Sequence, residues 1–391
     1  MLKKFINSHY FAFTVIACIF LIIYLSKTLD KQVLPDYFEQ DFVNGKITEV
    51  MHEELESDPA LPIRKNGKQE VKIEVLQGEY KGQIFESTNL LSRNHNVLVK
   101  EGMKVVVGIR KDGDKPIAWV YNYKREITLY VILGVFLVLM ILLGRGQGAK
   151  AALSLVFAGV MLIYVLVPLL FRGYSPVSIS ILAMSATIIV SFLLISGWGR
   201  KTAAAIIGTI GGITVAGIIS HLAGTVTHLS GIDLEHGEQL AYFAQDMNLN
   251  IKGLMFATIL IASTGAVMDV AMSIASSIFE IKRTSPQLEM PALFKSGMRI
   301  GKDVMGTMSN TLILAFAGSS LPLMMLIYGY KLQYLQFINL QSISTEFIQG
   351  IAGSIGIILS VPITAAVASV LASKEAEKNP IKESKAKRQM S

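Results

Sequence analysis

The sequence predicts a polytopic α-helical membrane protein of about eight transmembrane helices, with a small β-rich extracytoplasmic domain between the first two. Composition is the first indication, because 52% of the 391 residues are hydrophobic and 17% are charged, whereas about a quarter of a soluble domain is charged. The apolar residues also lie in long runs, which indicate membrane spans. Residues 31–126, by contrast, have the composition of a soluble domain.

The apolar runs define the spans, since a bilayer core of about 30 Å requires about 20 apolar helical residues. The eight predicted spans are residues 10–25, 130–143, 151–170, 177–195, 203–222, 254–279, 307–327 and 347–371. The first has no A-x-A-like cleavage site, so we expect an uncleaved anchor rather than a signal peptide. The predicted segments are an anchor over 1–27, the β domain over 28–126, a seven-helix membrane domain over 127–372 and a basic tail over 373–391.

Basic residues near the span ends predict the orientation, because cytoplasmic loops retain Lys and Arg. The outer side receives Arg172, Lys252 and Lys331, while the loop over 225–250 has no basic residue. An inside N-terminus assigns to the cytoplasm the basic tail and Lys3, Lys4, Arg145, Lys150, Arg200, Lys201, Lys282, Arg283, Lys295, Arg299 and Lys302. Eight spans therefore place both termini in the cytoplasm and residues 28–126 outside.

Several functional classes are disfavoured by the composition. The single cysteine, Cys18, permits no intramolecular disulfide and no cysteine-based zinc site. The net charge of +7 fits the membrane topology, so we expect no nucleic-acid partner. No Walker A loop, H-E-x-x-H or G-x-S-x-G motif is present. We therefore predict a protein that is not an enzyme and holds no cofactor; an enzyme acting on lipids or peptides is a third alternative to the two functions given below.

Residues 41–123 alternate apolar and polar side chains with the two-residue period of β-strands. Short runs are separated by turn residues such as Gly78, Gly82 and Gly102, which is typical of a small barrel of the OB-like kind. Such barrels often bind nucleic acid or sugars, but no aromatic and basic stripe is evident, so we expect a structural or docking role. His52 among acidic residues, and His95, offer an alternative metal site.

Asp269 lies deep inside the sixth predicted span, and an ionisable group in a span is by default a candidate functional residue. Helical spacing places one polar face along this span, consisting of Gly265, Asp269, Ser273, Ser276 and Glu280. The opposite face is apolar enough to contact lipid, and consists of Val267, Val270, Ile274 and Ile278.

The seventh span carries a second polar face, with Asp303, Thr307, Asn310 and Thr311. Between the two spans, residues 291–303 resemble a short amphipathic helix lying at the membrane interface. We predict that Asp269 faces Asn310 and Thr311 and takes up protons or an ion. The alternative is a carboxyl group that is hydrogen-bonded to its neighbours only to hold the helices together.

The fifth predicted span suggests two further features. Gly208 and Gly212 are four residues apart and permit close helix packing. His221 and His228 are two turns apart, so they share a face if the helix continues. With His236, Asp233 and Glu235 they form a candidate site for a divalent metal on the outer surface, and the alternatives are a titrating histidine or an ordinary polar helix end.

Taken together, the chain resembles the YibE/F-like family of bacterial membrane proteins. The residues that carry the resemblance are 263–273 (STGAVMDVAMS), Gly301-Lys302-Asp303, 308–312 (MSNTL) and 314–318 (LAFAG). The resemblance implies an anchor, a small β domain and a bundle of spans, but no established activity.

A fainter resemblance is to SecD/SecF-type proton-driven permeases, with Asp269 and Thr307-x-Ser309-x-Thr311 in the corresponding positions. The chain departs from that pattern at Asn310, where an arginine would be expected, and in having two extra spans.

These features predict a secondary transporter or export-type permease of the bacterial cytoplasmic membrane, coupled to protons or ions through Asp269, with an unknown substrate. The alternative is a non-catalytic assembly or regulatory subunit whose outer β domain docks a protein partner. The expected partners are the lipid bilayer, a protein at the outer domain and further copies of the chain in an oligomer.

Overall fold

The computed structural model describes residues 2–30, 40–112, 115–232, 236–243 and 249–377. The chain divides into two compact units. The first, which we call the helical unit, contains Met1–Val33 and Leu143–Ser391. The second, which we call the outer unit, contains Leu34–Leu142, and therefore includes a sheet and the first half of a long apolar helix.

The outer unit contains one antiparallel sheet of five strands: β1 (Gln40–Ser57), β2 (Lys65–Val75), β3 (Ile84–Leu91), β4 (Lys104–Asp112) and β5 (Lys115–Tyr123). The strand order is β3-β2-β1-β4-β5, and β3 also contacts β5, so the sheet curls towards a barrel. The predicted β-rich domain is confirmed at this level, and its OB-like type stays a prediction.

Alternation along these strands produces the core of the sheet, because successive side chains of a strand point to opposite faces. Ile73, Val105, Val107 and Val120 are almost completely buried on the inner face. Gln69 is buried as well. Its side-chain NH2 donates to the carbonyl of Val99 at 3.0 Å, and its side-chain oxygen accepts from the backbone N–H of Val99. The buried amide is therefore hydrogen-bonded, as a polar group in a core must be.

The remaining elements are helical. They are α1 (Leu2–Asp30), α2 (Glu126–Val160), a π-helical turn (Met161–Leu166), α3 (Val167–Phe171), α4 (Pro176–Ser196), α5 (Arg200–Val226), α6 (Gly237–Phe243), α7 (Ile251–Thr284), α8 (Met290–Ser319), α9 (Leu321–Gly329), α10 (Tyr334–Ile338) and α11 (Gln341–Glu377). Five helical segments are long and apolar enough to span a membrane: Glu126–Phe171, Pro176–Ser196, Arg200–Val226, Ile251–Thr284 and Gln341–Lys374.

The segment Glu126–Phe171 covers the second and third predicted spans without a loop between them. Its 46 residues would measure about 69 Å as one straight helix, more than twice the thickness of the bilayer core. At Arg145 the backbone leaves helical geometry, with φ of 48° and ψ of −130°. This break lies in the interval that the sequence predicts as a cytoplasmic connection.

The seventh predicted span corresponds to the end of α8 together with α9, which meet at an angle of 59°. The separate interfacial helix predicted over 291–303 is wrong, because these residues form the first half of the continuous helix α8. Gly297 and Gly301 explain the difference. They are buried against Ile278 and Val361, where a side chain would overlap those residues, so the helix packs into the bundle.

The core of the helical unit lies between α5, α7 and α11, which contact one another extensively. Gly208 and Gly212 pack directly against α11, which confirms the predicted role of these glycines. A Cβ at Gly212 would lie 2.7 Å from that of Ser360 and 2.9 Å from the carbonyl oxygen of Gly356. Every predicted span thus falls on a helix, although the apolar part of α1, Tyr10–Ser26, is shorter than a full span. The number of crossings stays a prediction.

Candidate functional site

The polar face predicted for the sixth span lies along α7 and is exposed on the surface of the helical unit. Gly265, Asp269, Ser273 and Glu280 are all exposed, and Ser276 is half-buried. Thr258 and Ala262 extend the same face towards the start of the helix. We call the segment of this face from Thr258 to Ser276 the α7 stripe. Asp269 lies near the middle of the 34-residue helix, which for a spanning helix is the middle of the bilayer.

The opposite face of α7 does not contact lipid as the sequence suggested. Val267, Val270, Ile274 and Ile278 are completely buried in the core of the helical unit. The apolar side of α7 is used for packing against α5, α11 and their neighbours. The polar side is therefore the one that faces outwards, so the expectation of a lipid-facing apolar side is wrong.

The second polar face, on α8, is also exposed. Asp303, Thr307, Asn310 and Thr311 lie on the surface, whereas Gly301 and Leu312 face the bundle. We call these four exposed residues the α8 stripe. The Thr307 hydroxyl donates to the carbonyl of Val304 at 2.9 Å, and that of Thr311 donates to the carbonyl of Thr307 at 2.9 Å.

Packing contacts place the two stripes at a similar depth. A Cβ at Gly301 would touch Ile274, and one at Gly353 would touch both Leu312 and Ser263. The helices α7 and α8 therefore run antiparallel, and the level of Asp269 lies between the levels of Gly301 and Leu312, where Thr307 and Asn310 are found.

The predicted direct interaction of Asp269 with Asn310 or Thr311 is not among the hydrogen bonds of the described residues. Within that part of the chain, no side chain or backbone group donates a hydrogen bond to Asp269, and Asn310 has no partner either. The surface along which α7 and α8 touch is instead lined by Ile274, Ile278, Gly297 and Gly301. A structural tie between these helices through Asp269 is therefore not seen.

Glu280 differs from Asp269 in having a partner. Its carboxylate forms an ion pair with Arg283 at 2.6 Å, near the end of α7. Both side chains are largely exposed, which is ordinary for a charged pair at the end of a helix. For this reason Glu280 is not counted in the α7 stripe.

The predicted histidine site does not form a metal cluster among the described residues. His221 is exposed and packs edge-on against Phe256, with ring centroids 5.2 Å apart. His228 follows the end of α5, and His236 contacts Gln239. No group of three or more His, Cys, Asp or Glu side chains in the described ranges could hold a metal ion. Asp233 and Glu235, the other members of the predicted site, lie outside the described residues.

The structure also shows two features of the outer unit that sequence reasoning missed. Phe42, Trp119 and Tyr121 form an aromatic cluster on the outer face of the sheet, although almost 80 residues separate them in sequence. Asp58 is completely buried and binds Arg93 at 2.8 Å. Neither follows from local pattern, because each depends on strand pairing that joins distant segments. The alternation of Trp119 and Tyr121 along β5 was the only local signal.

Comparison with known proteins identifies one family. The model of a family described as YibE/F-like protein matches residues 132–374, which include both polar stripes and more than half of the chain. Neither a curated protein nor a solved structure matches the chain. None of these findings supports the fainter resemblance to SecD/SecF-type permeases.

Proposed function

This chain belongs to the YibE/F-like family, and on that premise we propose that it is a secondary transporter or export-type permease of the bacterial cytoplasmic membrane. We further propose that protons or ions couple to transport at Asp269. The substrate is left open, because no described cavity in the helical unit has a chemistry that selects one.

The observation that carries this proposal is an unpartnered carboxyl group in the middle of a spanning helix. A charged side chain at the bilayer centre costs about 3 kcal/mol or more when it faces lipid. Asp269 is exposed, and no described residue donates a hydrogen bond to it. It must therefore be protonated, hydrated or covered during function. A group that alternates between such states is what proton or ion coupling requires.

The neighbouring residues supply a polar path rather than a closed site. Ser273 follows Asp269 one turn later on α7, and Thr307 and Asn310 lie at a similar level on α8. Small residues such as Gly265 leave the backbone accessible beside the carboxyl group. We propose that these side chains bind water or an ion next to Asp269, while Asp303 lies towards the cytoplasmic end of the same path.

The test is a proton-flux measurement on the full chain in liposomes. A potassium diffusion potential drives proton entry, and a trapped pH-sensitive dye reports it. We expect Asp269→Asn to lower the protein-dependent flux by about tenfold or more, since it removes the only titratable group of the α7 stripe. Glu280→Gln is the matched control, because it removes a carboxylate from the same helix that already has an ionic partner, and it should retain the flux.

Normal flux and normal pH dependence in a correctly inserted Asp269→Asn protein would contradict the proposal. If the dye signal of wild-type liposomes appears only when the cation that replaces external potassium is sodium, and not an impermeant organic cation, sodium takes part in the coupling and the same two variants apply. Insertion is checked separately by protease protection, so a folding defect is distinguished from a loss of coupling.

One observation favours the alternative, an assembly or regulatory subunit that docks a partner through its outer unit. The loop from β1 to β2 carries an exposed apolar tip, in which Leu61 is 48% and Ile63 is 98% exposed. Buried Asp58 accepts hydrogen bonds from the backbone of Ala60 and Leu61 and so holds the tip in one conformation. This alternative expects no ion flux from the wild-type chain, so the liposome measurement separates the two functions.

A further inference from the structure

The outer face of the sheet carries a cluster of exposed aromatic and apolar side chains. Phe42 of β1 and Tyr121 of β5 have ring centroids 4.6 Å apart, and Phe42 and Trp119 are arranged edge-to-face at 6.5 Å. Phe42 is 51%, Tyr121 49% and Ile117 44% exposed. A surface of this kind is apolar enough to mark an interaction site rather than ordinary solvent-exposed sheet.

Part of this cluster has a purely structural explanation. The ring of Trp119 lies directly over Gly108 of β4, where a Cβ atom would overlap it. An aromatic ring that covers a glycine in the neighbouring strand stabilises a sheet. That role accounts for Trp119, but it requires no exposure of Phe42, Tyr121 or Ile117. Their exposure is the feature that needs a further explanation.

The charges on the same face have one sign. No acidic residue occupies the outward-facing positions of this surface. Those positions run from Gln40 to Lys46 on β1, from Lys104 to Arg110 on β4 and from Ile117 to Tyr121 on β5. The ionisable residues there are Lys46, Lys104 and Arg110, and no ion pair engages them within the described part of the chain. Lys46 and Lys104 are directly opposite each other, a like-charge pairing that destabilises a sheet.

The acidic residues nearest to these positions are Asp112, the last residue of β4, and Glu74 of β2, which is paired in register with Lys46. No ion pair joins the two side chains. The two adjacent lysines form no ion pair with any described residue and lie beside exposed aromatic rings. Such a surface is complementary to a ligand in which an anionic group adjoins an apolar part.

Strand register places the lysine pair at the end of the sheet where the chain enters the membrane. Val105 pairs with both Gly45 and Tyr123, so Lys46 and Lys104 lie level with the end of β5. Only Lys124 and Arg125 separate β5 from α2, whose first turn begins at Glu126. The Arg125 guanidinium lies 5.3 Å from the centre of the Tyr123 ring, which packs against the inner core of the sheet, so Arg125 adds a positive charge at the start of the apolar helix.

We propose that this face of β1, β4 and β5 is a docking surface for the anionic lipid headgroups of the membrane that α2 enters. Lysines near a bilayer surface are attracted to anionic lipids, and aromatic rings are favoured at the membrane–water interface. The two-residue connection to α2 keeps the surface beside the headgroups. A soluble polyanion would be attracted to the same charges, but its binding would not require them to lie next to a membrane span.

The test uses the full chain with Trp198→Phe, which leaves Trp119 as the single tryptophan of the two in the sequence. The protein is placed in phosphatidylcholine nanodiscs with or without phosphatidylglycerol, and the acyl chains of the phosphatidylcholine are brominated to quench nearby tryptophan. We expect quenching of Trp119 to rise about twofold or more when phosphatidylglycerol is present. Lys46→Gln with Lys104→Gln should abolish that rise.

The matched control is Lys81→Gln with Lys100→Gln, which removes the same charge from exposed positions outside this face and should leave the rise intact. Three results would overturn the proposal. Quenching of Trp119 by aqueous iodide and not by brominated lipid would indicate a face that is open to solvent or that binds a soluble polyanion. Trp119 protected from both quenchers indicates a protein contact. Equal quenching in the two lipid mixtures, unchanged by the Lys46 and Lys104 substitutions, excludes the role of anionic headgroups.

Discussion

The Asp58 side chain is completely buried, and its carboxylate accepts hydrogen bonds from both side chains and the backbone. Arg93 donates at 2.8 Å, Asn66 at 3.1 Å and the backbone of Ala60 at 2.8 Å. These hydrogen bonds, with that of Arg93 the largest, hold the pKa of Asp58 well below its ordinary value of 3.8. Asp269 is the opposite case, a carboxyl group with no described donor in a spanning helix.

We expect the outer unit to lose stability in acid through Asp58. A carboxyl group whose pKa is lower in the folded state stabilises that state above its unfolded pKa of about 4, and this contribution is lost as the pH falls below it. In the Trp198→Phe protein, urea unfolding followed by Trp119 fluorescence should therefore shift to lower urea between about pH 5 and pH 3.

Substitution of Asp58 should change how the urea midpoint of unfolding depends on pH, and not only lower that midpoint at neutral pH. Asp58→Asn should unfold at lower urea at neutral pH and show a much smaller shift in acid. The control is Asp41→Asn at the exposed start of β1, which should keep the wild-type profile. An acid shift of full size in Asp58→Asn would assign the effect to other carboxyl groups.

Residue identity alone could not predict these roles. Asp58 follows an acidic run on β1, and nothing in the local sequence connects it with its partner Arg93, which is 35 positions away. Asp269 was found from sequence because a charge in an apolar run is conspicuous without any partner. The sequence could not show whether the Asp269 side chain faces the protein interior or the surface.

At the scale of single elements, α7 shows why that direction was missed. The helical period correctly placed Gly265, Asp269 and Ser273 on one face and Val267 and Ile274 on the other. It could not decide which face meets the rest of the protein, because lipid and a protein interior are both apolar. Packing against α5 and α11 settled the question in favour of the apolar face.

We expect the contact between α5 and α11 to depend on the absence of a side chain at Gly212. In Gly212→Ala the new Cβ would lie 2.8 Å from a methyl group of Val267 and 2.9 Å from the carbonyl oxygen of Gly356. Overpacking of this kind destabilises a core by about 1–3 kcal/mol. Unfolding of the detergent-solubilised chain in SDS, followed by circular dichroism, should shift to a lower SDS fraction.

Gly159→Ala in α2 is the matched substitution. Nothing lies within 4 Å of the added Cβ there, and alanine is the better helix former by about 1 kcal/mol. It should therefore leave the unfolding midpoint unchanged or raise it. Equal behaviour of the two variants would mean that the close approach of α5 to α11 contributes nothing measurable to stability.

For the whole molecule, hydropathy located the helices but could not count the crossings. Length and apolar content identify where a helix can span, and every predicted span coincides with a helix. The count depends on breaks inside apolar runs, such as the non-helical backbone at Arg145 and the bend between α8 and α9. Such breaks leave little trace in hydropathy. The outer sheet was predictable from its alternation, whereas its aromatic face depends on strand pairing.

The break at Arg145 leads to a topological prediction that separates two counts. If the chain crosses twice between Glu126 and Phe171, Tyr174 lies on the same side of the membrane as the outer unit; if it crosses once, Tyr174 lies on the opposite side. We expect two crossings, since one straight helix of this length would exceed the bilayer core about twofold. The measurement is labelling of single cysteines by a membrane-impermeant maleimide in a Cys18→Ala background.

Glu86→Cys in the outer unit is the reference for the outer side, and Lys374→Cys at the end of α11 is a second reporter of the count; all the positions used are exposed. Two crossings predict that Tyr174→Cys is labelled in intact cells together with Glu86→Cys. They also predict that Gln147→Cys, beside the break, is labelled only after permeabilisation, together with Lys374→Cys. Protection of Tyr174→Cys in intact cells would reduce the count by one and reverse the side assigned to every later connection, including the one from α7 to α8 that joins the two polar stripes.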